Sequence, residues 1–242
     1  DQEFKLIDLP GIYSLTSYTM EEKVSRECIM SDEVDVIVDV VDASCLERNL
    51  YLTLQLIELG KPVVLALNMM DIVEERGMEI DLHRLPEMLG IPAIPVSARK
   101  MSGLEILMHA VAHHKDYARQ SPFIHHHTEN TKHIHNHHRD YAMVYQDEIE
   151  DKIDLIIEQF LRLYPRMENK RWHAIKMLEQ DHAVMEKYPL NMPEVMDRSY
   201  EKDIINQKYD FIEEIIQETL VNKSKKEERT DRVDRFMTSK WL

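Results

Sequence analysis

Phe4-Lys5-Leu6-Ile7-Asp8-Leu9-Pro10-Gly11 is an apolar run that closes on an acidic turn with proline and glycine. Its pattern predicts a strand ending at Asp8, followed by a turn. Two later stretches repeat the arrangement. Val63–Leu67 runs into Asn68-Met69-Met70-Asp71, and Ile94–Val96 runs into Ser97-Ala98-Arg99. In an open α/β sheet the ligand crevice lies outside the carboxyl ends of the strands, so three polar turns in these positions fall where a site would form. Each is weak alone. Asp-x-Pro-Gly also serves as a plain strand-ending turn, Asn-x-x-Asp is common in loops, and Ser-Ala carries little information. Their order, each after a predicted strand, carries the signal.

Strand and helix patterns alternate around these turns. Glu21–Met30 is helical in pattern, and the β-branched Val34–Asp42 is a strand. Ser44 is placed to cap a helix over Cys45–Leu59, with Leu46, Leu50, Leu54 and Ile57 on one face, Gly60 at its end and Pro62 beyond. Leu82–Leu89 reads as a short helix and Leu104–Ala118 as a closing one. Residues 1–120 thus predict an α/β unit, a mostly parallel sheet with helices on both faces. Residues 121–140 break the pattern and read as a His-rich linker. Residues 141–222 switch to helical periodicity. Tyr145, Ile149, Ile153, Ile156 and Phe160 form one stripe that Pro165 ends, Trp172, Ile175 and Leu178 mark a second helix, and Pro193 opens a third carrying Ile204, Phe211, Ile215 and Leu220. No strand signal is found there, so a small all-α domain is expected. Residues 223–242 are charged, close on Trp241-Leu242, and read as a juxtamembrane segment.

The chain has 242 residues, a formal charge of −15 and 31% charged residues. That balance disfavours nucleic acid as a partner. Cys28 and Cys45 lack metal spacing and read as reduced, core or half-buried thiols. No run of ~18 apolar residues is present, so no segment is expected to span a bilayer.

The three turns suit a nucleotide. An Asp at a strand end, such as Asp8, can hold Mg²⁺ through water, and Gly11 after it lets a backbone N–H approach a phosphate. Asp71 can accept both the ring N–H and the exocyclic amine of guanine, a donor pair that adenine lacks, with Asn68 beside it. The Ser97 and Ala98 N–H groups could reach the guanine carbonyl. In sequence these turns resemble the third, fourth and fifth motifs of a GTP-binding domain. Met69 stands where the fourth motif usually has Lys. No Gly-x-x-x-x-Gly-Lys-Ser/Thr occurs, so the chain resembles a P-loop GTPase whose front is missing.

Longer stretches resemble the ferrous iron transport protein B family. They are Asp8–Leu15 with Glu21-Glu22-Lys23-Val24, Val40–Ser44 with Leu46–Leu56, Pro62–Asp71 including Met69, and Trp172–Glu179. Leu46–Leu56 is the most specific. The resemblance implies a GTP- or GDP-binding domain with Mg²⁺, then a helical domain that favours GDP. It implies a multi-pass membrane domain after them that moves Fe²⁺, and a place on the cytoplasmic face of the bacterial inner membrane. The cofactor-binding residues carried over are Asp8, Gly11, Asn68, Met69, Asp71, Ser97 and Ala98, with Asp8 at Mg²⁺. The partners implied are a guanine nucleotide, the chain's own transmembrane domain and a possible homo-oligomer. Arg229, Arg232, Arg235 and Lys240 beside Trp241 resemble a positive flank of a membrane segment, or form a plain charged tail. Without the phosphate loop, no GTP hydrolysis is expected of this chain.

His125, His126, His127, His133, His135, His137 and His138 could bind Ni²⁺, Zn²⁺, Cu²⁺ or, more weakly, Fe²⁺. They could equally be a solvated loop. Two rivals follow from these features. One is an RNA- or ribosome-associated GTPase, which should carry a basic module; the other is a non-catalytic metal-binding regulatory module.

Overall fold

A computed structural model describes residues 3–15, 19–114 and 143–222. β1 (Ile37–Asp42), β2 (Val63–Asn68) and β4 (Ala93–Pro95) form a parallel sheet in the order β1-β2-β4. The register runs Ile37↔Val63 to Asp42↔Asn68 on one side of β2, and Leu65↔Ala93 to Leu67↔Pro95 on the other. α2 (Leu46–Glu58) covers one face, where Leu50 and Leu54 meet Val63, Leu65 and Leu67. α5 (Leu104–Ala112) covers the other, where Ala110 and Val111 meet Val64. This double cover explains why Val63–Leu67 is apolar at every position and not only at alternate ones.

The predicted strand at Phe4–Asp8 does not form. Among the described residues the segment has no ladder partner, and Leu6 is 89% exposed. Apolar alternation organises a strand only where a neighbour takes up the backbone groups. The segment is anchored further on. The N–H of Leu15 donates to Gln55 Oε1 at 2.8 Å, and Arg48 lies over the Tyr13 ring at 4.6 Å. α1 (Met20–Met30) follows, with Thr19 and Glu22 in a reciprocal capping box.

The cap ahead of α2 is also reassigned. Asp42, not Ser44, accepts from the Ser44 N–H at 2.9 Å and starts a 3-10 turn, Ala43–Cys45, and α2 begins at Leu46. Cys28 is half-buried as expected, whereas Cys45 is exposed; both are free thiols. α3 (Met70–Glu75) and β3 (Met78–Ile80), which the periodicity did not reveal, lead to α4 (Arg84–Leu89). The helix expected over Leu104–Ala118 runs to Ala112, and residues 115–118 lie outside the described residues, as does the His-rich stretch 125–138.

The second half is helical: α6 (Asp147–Leu163), α7 (Lys170–Leu178), α8 (His182–Lys187) and α9 (Glu201–Thr219). The stripe Ile149, Ile153, Ile156 and Phe160 is buried along α6, and every residue of α7 but Lys170 is buried. Pro193 does not open the last helix. It lies in turns well before Glu201, where α9 starts. Nor is this half free of strand. β5 (Leu220–Asn222) pairs antiparallel with β3, Met78↔Asn222 to Ile80↔Leu220. Three residues give too short a pattern to read, and the pairing comes from α9 lying along α2 and α4.

The two halves share one apolar core, and the seam carries buried charge. Lys208 on α9 is 0% exposed, with Nζ 2.8 Å from Glu58 Oε2 at the end of α2 and 4.0 Å from Glu179 Oε1. The Tyr145 hydroxyl donates to Glu58 Oε1, and Lys176 pairs with Glu179. Burial first, then the Glu58 charge, push the Tyr145 phenol well above its ordinary range, so it stays a donor. Arg171 makes a two-pronged bond to Glu150, 2.6 Å in each arm. Tyr51 of α2 stacks on Tyr209 of α9 at 5.2 Å. At the other end of the seam, Arg26 of α1 bonds Asp181 Oδ2 at 2.7 Å and lies 4.8 Å over Trp172.

Two stability predictions follow. Lys208→Ala leaves Glu58 buried without its cation and should cost roughly 3–5 kcal/mol in urea unfolding, whereas Arg198→Ala, which breaks an exposed pair with Asp203, should cost under about 1 kcal/mol. Asp39 on β1 is buried, and burial raises its pKa from 3.8 to about 6, opposed by the bond from Thr53 Oγ1. A carboxyl raised on folding contributes stability that is complete below the unfolded value and lost as pH climbs through the folded one. Asp39→Asn should remove this pH 4–6 dependence and gain on the order of 1–3 kcal/mol at pH 8, read from unfolding curves at pH 5 and 8.

Candidate functional site

The loops after β2 and β4 are built into one unit. Asn68 ends β2, and its Oδ1 accepts the Ala98 N–H at 3.1 Å across 30 residues. Met69 adopts a left-handed backbone at φ 63°, which turns the chain from strand to helix within one residue. Met70 N then donates to Val96 O at 3.3 Å and α3 begins. Asp71 thus falls in the first helical turn, where its negative charge suits the helix dipole.

Asp71 is the centre of the arrangement. It is 4% exposed. Its Oδ1 accepts from Ser97 Oγ at 2.9 Å, and Ser97 Oγ itself accepts from the Lys100 N–H at 3.2 Å. Arg99 Nη2 lies 2.7 Å from Oδ2 and also bonds Glu75 at 2.8 Å. Burial works to raise the Asp71 pKa, but the Ser97 bond and the charges of Arg99 and Lys100 outweigh it and hold the carboxyl below its ordinary range. It is therefore an ionised, acceptor-only group at neutral pH. Among the described residues, Oδ2 is a buried oxygen that accepts no aligned hydrogen bond, although it lies beside Arg99.

The loop after β4 closes on itself. Ser97 and Ser102 exchange two backbone bonds, both 3.1 Å. Gly103 sits at φ +79°, and a Cβ there would lie 2.1 Å from Pro95 O. Only glycine fits this close crossing of backbone. Sequence reasoning missed Gly103, and the signal was available: a glycine at the start of a helix, just after a polar loop. It missed the Arg99 pairing as well, because contact between the two loops is not encoded by spacing.

Asn68, Met69, Asp71, Ser97 and Ala98 come together as the sequence suggested, but with different duties for three of them. The Asn68 oxygen is engaged as a brace. The Ala98 N–H is committed to Asn68, and the Ser97 N–H to Ser102 O, so neither amide points unpaired at a ligand. Asp8 and Gly11 are exposed and, among the described residues, no hydrogen bond or ion pair ties them to this unit. A Cβ on Gly11 would meet open space. No group of three or more His, Cys, Asp and Glu among the described residues is arranged to hold a metal, and the seven His from His125 to His138 lie outside those residues. Asp71 Oδ2 therefore has the chemistry to accept an N–H donor such as those of guanine. The phosphate and Mg²⁺ end does not fit with the residues present.

The parallel sheet, its crossing helices and the braced loops after β2 and β4 define a domain of the P-loop GTPase class. Family models narrow this. Ferrous iron transport protein B matches residues 1–111, and the FeoB cytosolic helical domain matches residues 145–221. The Fe(2+) transporter FeoB of Escherichia coli is 37% identical over 185 residues, 75% of this chain and 21% of that protein. That of Salmonella typhimurium is 35% identical over the same length. A GDP-bound mutant of S. thermophilus NFeoB has a TM-score of 0.70 at 33% identity, over 88% of this chain and 80% of that one. The GMPPNP form of the T. maritima FeoB cytosolic domain has a TM-score of 0.71 at 27% identity, over 89% and 80%. This chain belongs to the ferrous iron transport protein B family. It spans about a fifth of the length of the curated relatives it matches, 21%. No helix among the described residues is long and apolar enough to cross a membrane. A helical domain of the family's own type, and not a basic module, follows the α/β half, which disfavours the RNA-associated rival.

Gly103→Ala should cost at least about 2 kcal/mol and loosen the loop over Ser97–Ser102. Faster hydrogen exchange at the Ser97 and Ser102 amides would report it.

Proposed function

We propose that this chain is the guanine-recognising cytoplasmic part of a ferrous iron transporter, whose nucleotide state governs Fe²⁺ uptake by a membrane domain. The observation that carries the reading is Asp71, a buried, ionised carboxylate with Oδ1 fixed by Ser97 and Oδ2 without an aligned donor. The ring N–H and exocyclic amine of guanine supply two donors to such a group, and Arg99 must yield the oxygen to them. Adenine offers no such donor pair, so it could not replace the Arg99 contact that a bound base displaces. Ser97 and Asn68 position the acceptor and do not touch the base. Solved relatives hold GDP or a GTP analogue, and the curated ones are named Fe(2+) transporters, which supports both halves of the reading.

A bound GTP would supply a phosphoanhydride whose cleavage resets the state. The chain's own residues do not stabilise that step. The sequence holds no phosphate loop, and Asp8 and Gly11 are exposed. The parent transporter, not this chain, is therefore the GTPase, and the Mg²⁺ role of Asp8 depends on residues that this sequence lacks. The division proposed is a nucleotide domain over residues 1–120 and a helical domain over 141–222. The first meets the second at α1 through Arg26 and at α2 through Glu58, so a change at the nucleotide has two routes into the helical half.

In a domain completed with the family's phosphate loop, Asp71→Asn should lower GDP affinity by about 10- to 100-fold. It should raise affinity for xanthosine diphosphate, whose C2 carbonyl accepts from the new amide. Titration calorimetry with both nucleotides checks this, and unchanged GDP affinity would remove Asp71 from the site. The purified chain as it stands should show no GTP turnover above solvent background in a phosphate-release assay.

A further inference from the structure

His109 lies in the last turn of α5, His113 caps the C-terminus of that helix four positions on, and both are exposed. Their ring centroids are 4.4 Å apart with planes tilted by 34°. The His113 N–H donates to His109 O at 3.1 Å, so the helical turn between them is closed. The opposite face of the helix is fixed to the sheet, with Ala110 and Val111 buried against Val64. The two imidazoles thus project from a backbone that does not have to be ordered when a ligand arrives. Histidines at i and i+4 of one helix face are the spacing by which two imidazoles share a zinc ion, each ~2.0–2.1 Å from the metal.

We propose that His109 and His113 form a two-imidazole site for a borderline divalent transition-metal ion, with water completing the coordination. Imidazole pairs favour Cu²⁺, Ni²⁺ and Zn²⁺ over Fe²⁺, so the site ranks the ions differently from a carrier of ferrous iron. The net charge of −15 favours cation approach. The neighbouring His114 follows His113 directly, and adjacent positions of a helix do not face each other, so it is not placed as a third ligand; its Nδ1 is bonded to Val111 O at 2.8 Å. The site is independent of nucleotide. A metal there ties the last turn of α5 to itself and stabilises that turn by mass action.

The test must separate this pair from the other histidines, of which the chain has 13 in all. The full chain is treated with diethylpyrocarbonate, with and without Zn²⁺ in excess over all of them, and each histidine is read by peptide mass spectrometry. His109 and His113 should be protected several-fold, together and at the same Zn²⁺ concentration. His182, an exposed histidine at the start of α8, serves as the unpaired control and should be protected much less. His113→Ala should abolish the protection of His109 and leave that of His182 unchanged. Both positions are exposed, so these variants keep the fold, and His109→Gln gives a second, isosteric check on His113. Protection of His109 no greater than that of His182, or retained in His113→Ala, would overturn the site and leave two neighbouring, tilted imidazoles.

Discussion

Lys208 and Glu58 form the contact on which the joined architecture depends. A lysine at 0% exposure is tolerated only because a carboxylate meets it at 2.8 Å and a second lies at 4.0 Å. Glu58 in turn can be half of a buried pair only because Tyr145 occupies its other oxygen. The three groups come from α2, α9 and the segment ahead of α6, so no one element can shift without exposing a charge to an apolar surround. Such a pair adds little net stability over apolar packing, but it admits few alternative seatings. That is the property needed where two domains meet through a single core.

The same logic holds at smaller scale around Asp71. Ser97, Arg99 and Asn68 hold the two loops in register, and each uses a contact that sequence spacing cannot display. A braced acceptor reorganises little, so at Asp71 the contact left to give way to a ligand is the one with Arg99. In the stretch Asp8–Gly11 only Leu9, packed on the core, and Pro10 O, which accepts from Ser25 Oγ at 3.5 Å, are supported, while the Asp8 and Gly11 positions are exposed.

Much of this was legible in the residues. The apolar run Val63–Leu67, with no polar alternation, announced a strand covered on both faces, and the α6 stripe from Ile149 to Phe160 gave both the helix and its buried side. That the turns after β2 and β4 meet was readable from their order, each after a predicted strand. What failed did so for a common reason. Phe4–Asp8 has the pattern of a strand but no partner, β5 has a partner but no pattern, and Pro193 has the chemistry of a helix start but lies in a loop fixed by packing. Pairing and docking are non-local, and periodicity reports only what a segment could do. The cap is the local version: Ser44 falls inside a 3-10 turn that Asp42 caps, and α2 starts after it with no side-chain cap.

The β3–β5 ladder has a mechanical consequence. β5 is the last described piece of the helical half, and its Asn222 lies opposite Met78, the first residue of β3, just after α3 ends at Glu75. Tension or torque applied to the chain at residue 222 is thus delivered first to β3 and then, within a few bonds, to the short helix whose first turn holds Asp71. The three-pair ladder is short enough to yield before the core does. It is a short, separable link between residue 222 and the helix that carries Asp71.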